Sequence, residues 1–158
     1  MRHYLLPLIA LLALASCKNE PERAAFETKQ EQQDRIKAMY AMRAIGVEFV
    51  AMYEQASIQP DRVRELSTIL VGQAQALPQH FSKQPNTASL VKPEVWANKA
   101  AFNYALSDFS RKARLLKQGA DETPDGDLKN IWPLIMDTGN SCTSCHSRYR
   151  VGGDPSHE

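Results

Sequence analysis

Apolar residues recur along this chain at steps of three and four, and no segment alternates with period two, so the pattern predicts helices and no strand. Between Pro21 and Pro60 there is no proline, and Ile36, Met39, Tyr40, Arg43, Val47 and Val50, with Met42, Phe49 and Tyr53, outline an amphipathic helix. Pro60 opens a second helix with Asp61 and Glu65 in its first turn, Val63, Leu66, Ile69 and Leu70 as its buried stripe, and Pro78 as its end. From Gln79 to Lys92 the spacing is lost among Pro85, Asn86, Thr87 and Ser89, which reads as a long crossover loop. A third helix starts at Pro93 and Glu94 and keeps Val95, Phe102, Leu106, Phe109, Ala113 and Leu116 on one face until Gly119, a residue suited to a helix end. After the turn at Asp121 to Gly126, Asp127 is placed to cap a fourth helix reaching Tyr149. Pro133 inside it would cost about 3 kcal/mol, so either the helix kinks there or it starts at Pro133.

The start of the chain has a different grammar. Arg2 and His3 precede an apolar run from Leu5 to Ala15, too short for a bilayer span of about 20 residues and shaped like an export signal. Leu14-Ala15-Ser16-Cys17 resembles a bacterial lipobox, which implies a signal over residues 1–16 and lipidation of Cys17. Residues 17–30, polar and charged, then form a tether, and the tail 151–158 is expected to be disordered. Lys18 stands where an Asp would retain a lipoprotein at the inner membrane. By resemblance to those sorting rules, the outer membrane is favoured, with the domain facing the periplasm. The remaining 31–150 make one domain, and a net charge of +1 lacks the basic excess that nucleic-acid binding needs.

With Cys17 assigned to lipid, the other two cysteines fall in Cys142-Thr143-Ser144-Cys145-His146, the Cys-x-x-Cys-His spacing of covalent haem c attachment. Three and four residues apart on a helix share a face, so two thiols can reach the vinyl groups while the imidazole of His146 reaches the iron. A thioredoxin-like pair would need a βαβ context, and a zinc site would have to take His157 from the tail as its fourth ligand. Four helices, one long connection and a cofactor held by the last define an all-α class: an antiparallel four-helix bundle with one haem c near the C-terminus.

Gly139-x-x-Cys142-x-x-Cys145-His146-x-x-Tyr149-Arg150, Lys92-Pro93-Glu94-Val95-Trp96 and Arg35-x-x-x-Met39 together resemble the class II cytochromes c, the cytochrome c′ group and its low-spin relatives. Arg150 stands four residues after His146, hence on the same helix face, and the resemblance implies an arginine there beside the proximal side of the haem, or a solvated terminal one, and an aromatic at Trp96 either at the haem edge or in ordinary core. It implies Arg35 pairing with a haem propionate. It also implies Met39 on the distal side, as axial ligand or as a side chain crowding a five-coordinate iron, while ordinary core packing remains the alternative for Met39 and packing the expected role of Tyr149. Met42 and His80 are lesser candidates for the sixth position.

Two functions follow from that position. A thioether on iron raises the potential and blocks exogenous ligands, giving a lipid-anchored carrier of single electrons between periplasmic or membrane redox proteins. An open iron gives a binder of nitric oxide or carbon monoxide. Catalysis is not expected, because no nucleophile or acid/base pair accompanies the haem and only Arg43 is imaginable over the iron. Many members of the group pair through their first two helices, so a homodimer is compatible with the resemblance.

Overall fold

The computed structural model describes residues 26–57, 59–123 and 130–153. The signal, Cys17, most of the tether, Asp127 and the last five residues lie outside them. The order of elements is β1 (Phe26–Glu27), α1 (Lys29–Glu54), α2 (Pro60–His80), β2 (Gln84–Pro85), α3 (Glu94–Ala97), α4 (Lys99–Glu122) and α5 (Trp132–Tyr149). The four long helices form an antiparallel bundle in which α2 packs most extensively on α4, α4 on α5, and α1 on α2. Val63 and Leu66 of α2 and Ala113 and Leu116 of α4 are shut off from solvent at its centre.

Helix α1 begins earlier than a tether ending at residue 30 allows. Thr28 closes a capping box, its hydroxyl accepting from the Glu31 amide while Glu31 accepts from the Thr28 amide at 2.7 Å. Just before it, Phe26–Glu27 pairs in parallel with Gln84–Pro85 of the crossover loop, a two-residue ladder where no strand was expected. The buried stripe of α1 is Arg35, Ala38, Ile45, Phe49 and Met52. Ile36, Tyr40, Val47 and Val50, expected to be inside, face solvent. Both stripes have helical spacing, and α1 turns inward the one that carries the arginine.

Helix α2 continues through Pro78 to His80. A proline one turn from the end removes a single backbone hydrogen bond, and the helix has nothing further to lose beyond it. Ile69 is 42% exposed, and Leu70 and Ser67 take the inner positions. The third predicted helix is two: α3 is one turn, and Asn98 leaves helical geometry to cap α4 by accepting from the Ala101 amide at 3.2 Å. Helix α4 passes Gly119 and ends at Glu122. The glycine serves a close approach, since a Cβ there would lie 2.4 Å from Leu134 Cδ1 of α5. Helix α5 starts at Trp132 with Pro133 in its first turn, where a missing N–H is harmless, so there is no kink to explain. Residues 151–153 are held, the Val151 amide donating to the Leu90 carbonyl at 2.8 Å.

Candidate haem site

The last two turns of α5 carry the motif. Cys142 is exposed, whereas Cys145 is half-buried and packs against the core beside half-buried His146. Burial, with Cys142 nearby, pushes the Cys145 thiol up to about 11, because a thiolate is poorly tolerated there. A thioether has no proton to lose and suits such a place better than a free thiol. Among the described residues no three His, Cys, Asp or Glu gather as a metal-binding group.

Helix arithmetic sets Met39 at about the level of this motif along the bundle. The rings of Tyr53 on α1 and Trp132 on α5 meet edge to face at 4.9 Å between centroids. Met39 lies fourteen residues before Tyr53, and His146 fourteen after Trp132. In each helix that is close to four turns and about 21 Å, so in antiparallel helices Met39 and His146 reach the same level of the bundle on the faces that the ring pair defines. Met39 is half-buried against the core, as is Met42.

Aromatic contacts define the same end. Phe81, after α2, meets Phe102 of α4 edge to face at 4.9 Å, and Phe102 meets Tyr149 of α5 at 5.0 Å. Trp96 is half-buried and donates its indole N–H to the Phe81 carbonyl at 3.1 Å, so it belongs to this cluster. Arg35 lies over the Phe81 ring at 5.6 Å, pairs with Glu27 and donates to Ser89 Oγ at 3.4 Å. Both charges are buried, and one Glu27 oxygen and the Tyr149 hydroxyl have no hydrogen-bond partner among the described residues.

Arg150 is the C-cap of α5, its amide donating to the His146 carbonyl at 2.9 Å. The helix ends at Tyr149, and Arg150 is extended, bridging Val91 and donating from its guanidinium to the Gly153 carbonyl at 2.8 Å. The hydrogen bond from the Arg150 amide to the His146 carbonyl keeps Arg150 one turn above His146, so its side chain starts from the same side of α5. His80 is half-buried in the last turn of α2, and Arg43 is exposed. Phe81 and Ser89 carry no local sign in the sequence because they reach Arg35 from a distant segment, and Glu27 is set beside Arg35 by its ladder with the crossover loop.

Two thiols and an imidazole on one turn, one thiol turned to the core, and an unsatisfied buried hydroxyl as a spare donor for a carboxylate fit a covalently bound haem. Fold and site define a monohaem c-type cytochrome of the four-helix class. The family model described as Cytochrome C' matches residues 29–150, and the chain belongs to the cytochrome c′ family, whose members bind one covalently attached c-type haem.

Solved structures share the fold. A cytochrome c′ from Rubrivivax gelatinosus is 20% identical with a TM-score of 0.67, over 76% of this chain and 94% of that one. A nitric oxide complex of a cytochrome c prime mutant from Alcaligenes xylosoxidans is 22% identical with a TM-score of 0.68, over 79% and 98%. Cytochrome c prime from Shewanella frigidimarina is 20% identical with a TM-score of 0.67, over 84% and 98%. No curated protein matches the sequence.

Proposed function

We propose that this cytochrome is a one-electron carrier with His146 and Met39 as axial ligands, anchored through a lipid on Cys17 and facing the periplasm. The observation that carries the reading is the register that sets Met39 level with His146 across the bundle. The haem, when bound, supplies the one-electron couple. The chain's own residues do the rest. Cys142 and Cys145 would hold the group covalently, His146 and Met39 would supply its iron ligands, and the aromatic cluster of Phe81, Trp96, Phe102 and Tyr149 at the same end of the bundle would limit water there. Arg35, its charge already balanced by Glu27, offers further hydrogen-bond donors to a propionate, since a guanidinium has five. No acid, base or nucleophile is called on, in keeping with a carrier that turns over no substrate. The lipobox-like Leu14-Ala15-Ser16-Cys17 supports the anchor, Lys18 the outer membrane, and redox proteins of the periplasm or membrane are the partners.

The second reading is a five-coordinate iron that takes up nitric oxide or carbon monoxide, favoured by the nitric oxide complex of the Alcaligenes xylosoxidans protein. One experiment separates the two: absorption spectra of the holoprotein, oxidised and reduced, with and without carbon monoxide, beside Met39→Ala. The carrier shows a low-spin spectrum with the band of methionine ligation, unmoved by carbon monoxide and lost in Met39→Ala. A high-spin spectrum that shifts with carbon monoxide establishes the gas binder instead.

A further inference from the structure

The last four carbonyls of a helix have no partner inside it, and in α5 they belong to His146, Ser147, Arg148 and Tyr149. The first is met by the Arg150 amide at 2.9 Å. One residue from the crossover loop meets the other three. Lys92 donates its backbone amide to the Tyr149 carbonyl at 2.9 Å, and its ammonium donates to the carbonyls of Ser147 at 3.4 Å and Arg148 at 3.2 Å.

The backbone holds this lysine in place. On either side of the Val91–Arg150 bridge, Lys92 bonds to Tyr149 and the Val151 amide donates to the Leu90 carbonyl at 2.8 Å, which fixes 90–92 antiparallel to 149–151. The Lys92 carbonyl then accepts from the Val95 amide at 3.2 Å and starts α3, the turn that carries Trp96. Lys92 itself is half-buried. The neighbouring arginines are turned elsewhere: Arg148 is exposed, with its guanidinium over the Tyr149 ring at 5.3 Å, and Arg150 donates to the Gly153 carbonyl.

Ser147 directly follows His146, so the partial negative charge at the end of α5 collects beside the imidazole that the haem iron takes. Oxidised iron carries one more positive charge than reduced iron, and open carbonyls there would favour the oxidised state. A cation set on them works the other way. We infer that Lys92 is a positioning residue for the haem: it fixes the last turn of α5, and its ammonium cancels the negative helix end beside His146 and so raises the reduction potential. The inference needs His146 on the iron and is indifferent to the sixth ligand, so it stands or falls apart from the role proposed for Met39.

The test compares the holoprotein with Lys92→Met, Lys92→Gln and Lys92→Arg in redox titrations followed by haem absorbance. Methionine keeps an unbranched chain without charge or donor, glutamine keeps a donor without charge, and arginine keeps both. The backbone bond to Tyr149 is open to all three. The visible spectrum reports the iron ligands, and hydrogen exchange of the peptide 146–151 reports the helix end. At the ambient potential where the unaltered protein is half reduced, the ratio of reduced to oxidised haem should be about threefold lower in Lys92→Met and Lys92→Gln, with the spectra of each state unchanged. Lys92→Arg should restore it. Faster exchange with an unmoved potential makes Lys92 a helix cap alone and overturns the inference. A potential that falls as far in Lys92→Arg as in Lys92→Met overturns it too, because geometry and not charge is then responsible. Should Lys92→Met fail to keep its haem, the glutamine and arginine variants decide between the same outcomes.

Discussion

Arg35 is a charge placed where apolar side chains belong, at 3% exposure in the inner stripe of α1. Glu27 makes this tolerable, and the two are coupled so closely that neither can be removed alone without stranding the other. Breaking a buried pair from one side costs about 3 kcal/mol or more. We expect Glu27→Ala to lower unfolding stability by about that amount in urea titrations, and Glu27→Leu with Arg35→Leu to recover most of it. Glu31, next along, works at the surface. The ammonium of Lys83 holds its carboxyl down to about 2 from the usual 4.5, helped by the Thr28 amide and hydroxyl. Because the folded value is the lower one, this contribution is complete above about pH 4.5 and is lost as pH falls from there towards 2. The difference in urea midpoint between the protein and Glu31→Gln should accordingly be largest near neutral pH and vanish towards pH 2. The haem motif was legible in the sequence because its chemistry is local, two thiols and an imidazole within five residues. Glu27 was not, because what makes it matter is a ladder with Gln84–Pro85, more than fifty residues away.

At the scale of elements, periodicity located the four long helices and misjudged faces and ends. On α1 two apolar stripes compete, and the one containing Ile36, Tyr40, Val47 and Val50 is the more hydrophobic to the eye. The packed stripe contains Arg35, so a charge hid the true inner face. Pro78 and Gly119 are both helix breakers on average, yet both lie inside helices here. One sits in the last turn, where it costs little, and the other makes room for Leu134. The turn between α1 and α2 holds a different tension. Ala56 has φ +47, a left-handed conformation that costs an L side chain about 1 kcal/mol and glycine almost nothing. Allowing for the greater freedom glycine has when unfolded, Ala56→Gly should raise stability by roughly 0.5 kcal/mol, readable as a small rise in Tm. A fall in Tm would mean that the turn relaxes without strain.

The whole molecule is organised around its C-terminal end. The crossover loop, the start of α1, the start of α4 and the end of α5 converge there, and that convergence, unlike the count of helices, comes from contacts that no local pattern encodes. The interior is uneven as a result. The α2 and α4 faces close on each other around Leu66 and Leu116, while Met39, Met42 and Trp96 at the motif level are only partly covered by protein. A covalently held haem would complete the burial of these three. At about 1 kcal/mol for each side chain that moves from half to full burial, its attachment contributes about 3 kcal/mol through them alone. In a domain of this size, that corresponds to roughly 10 °C in Tm. Cys142→Ala with Cys145→Ala should therefore give a protein that melts at least that much lower by circular dichroism and loses helical signal at 37 °C, and adding free haem should restore part of the difference by occupying the same space. If the double variant melted where the holoprotein does, the bundle would be self-sufficient, and the haem would be a passenger on a core already complete between α2 and α4.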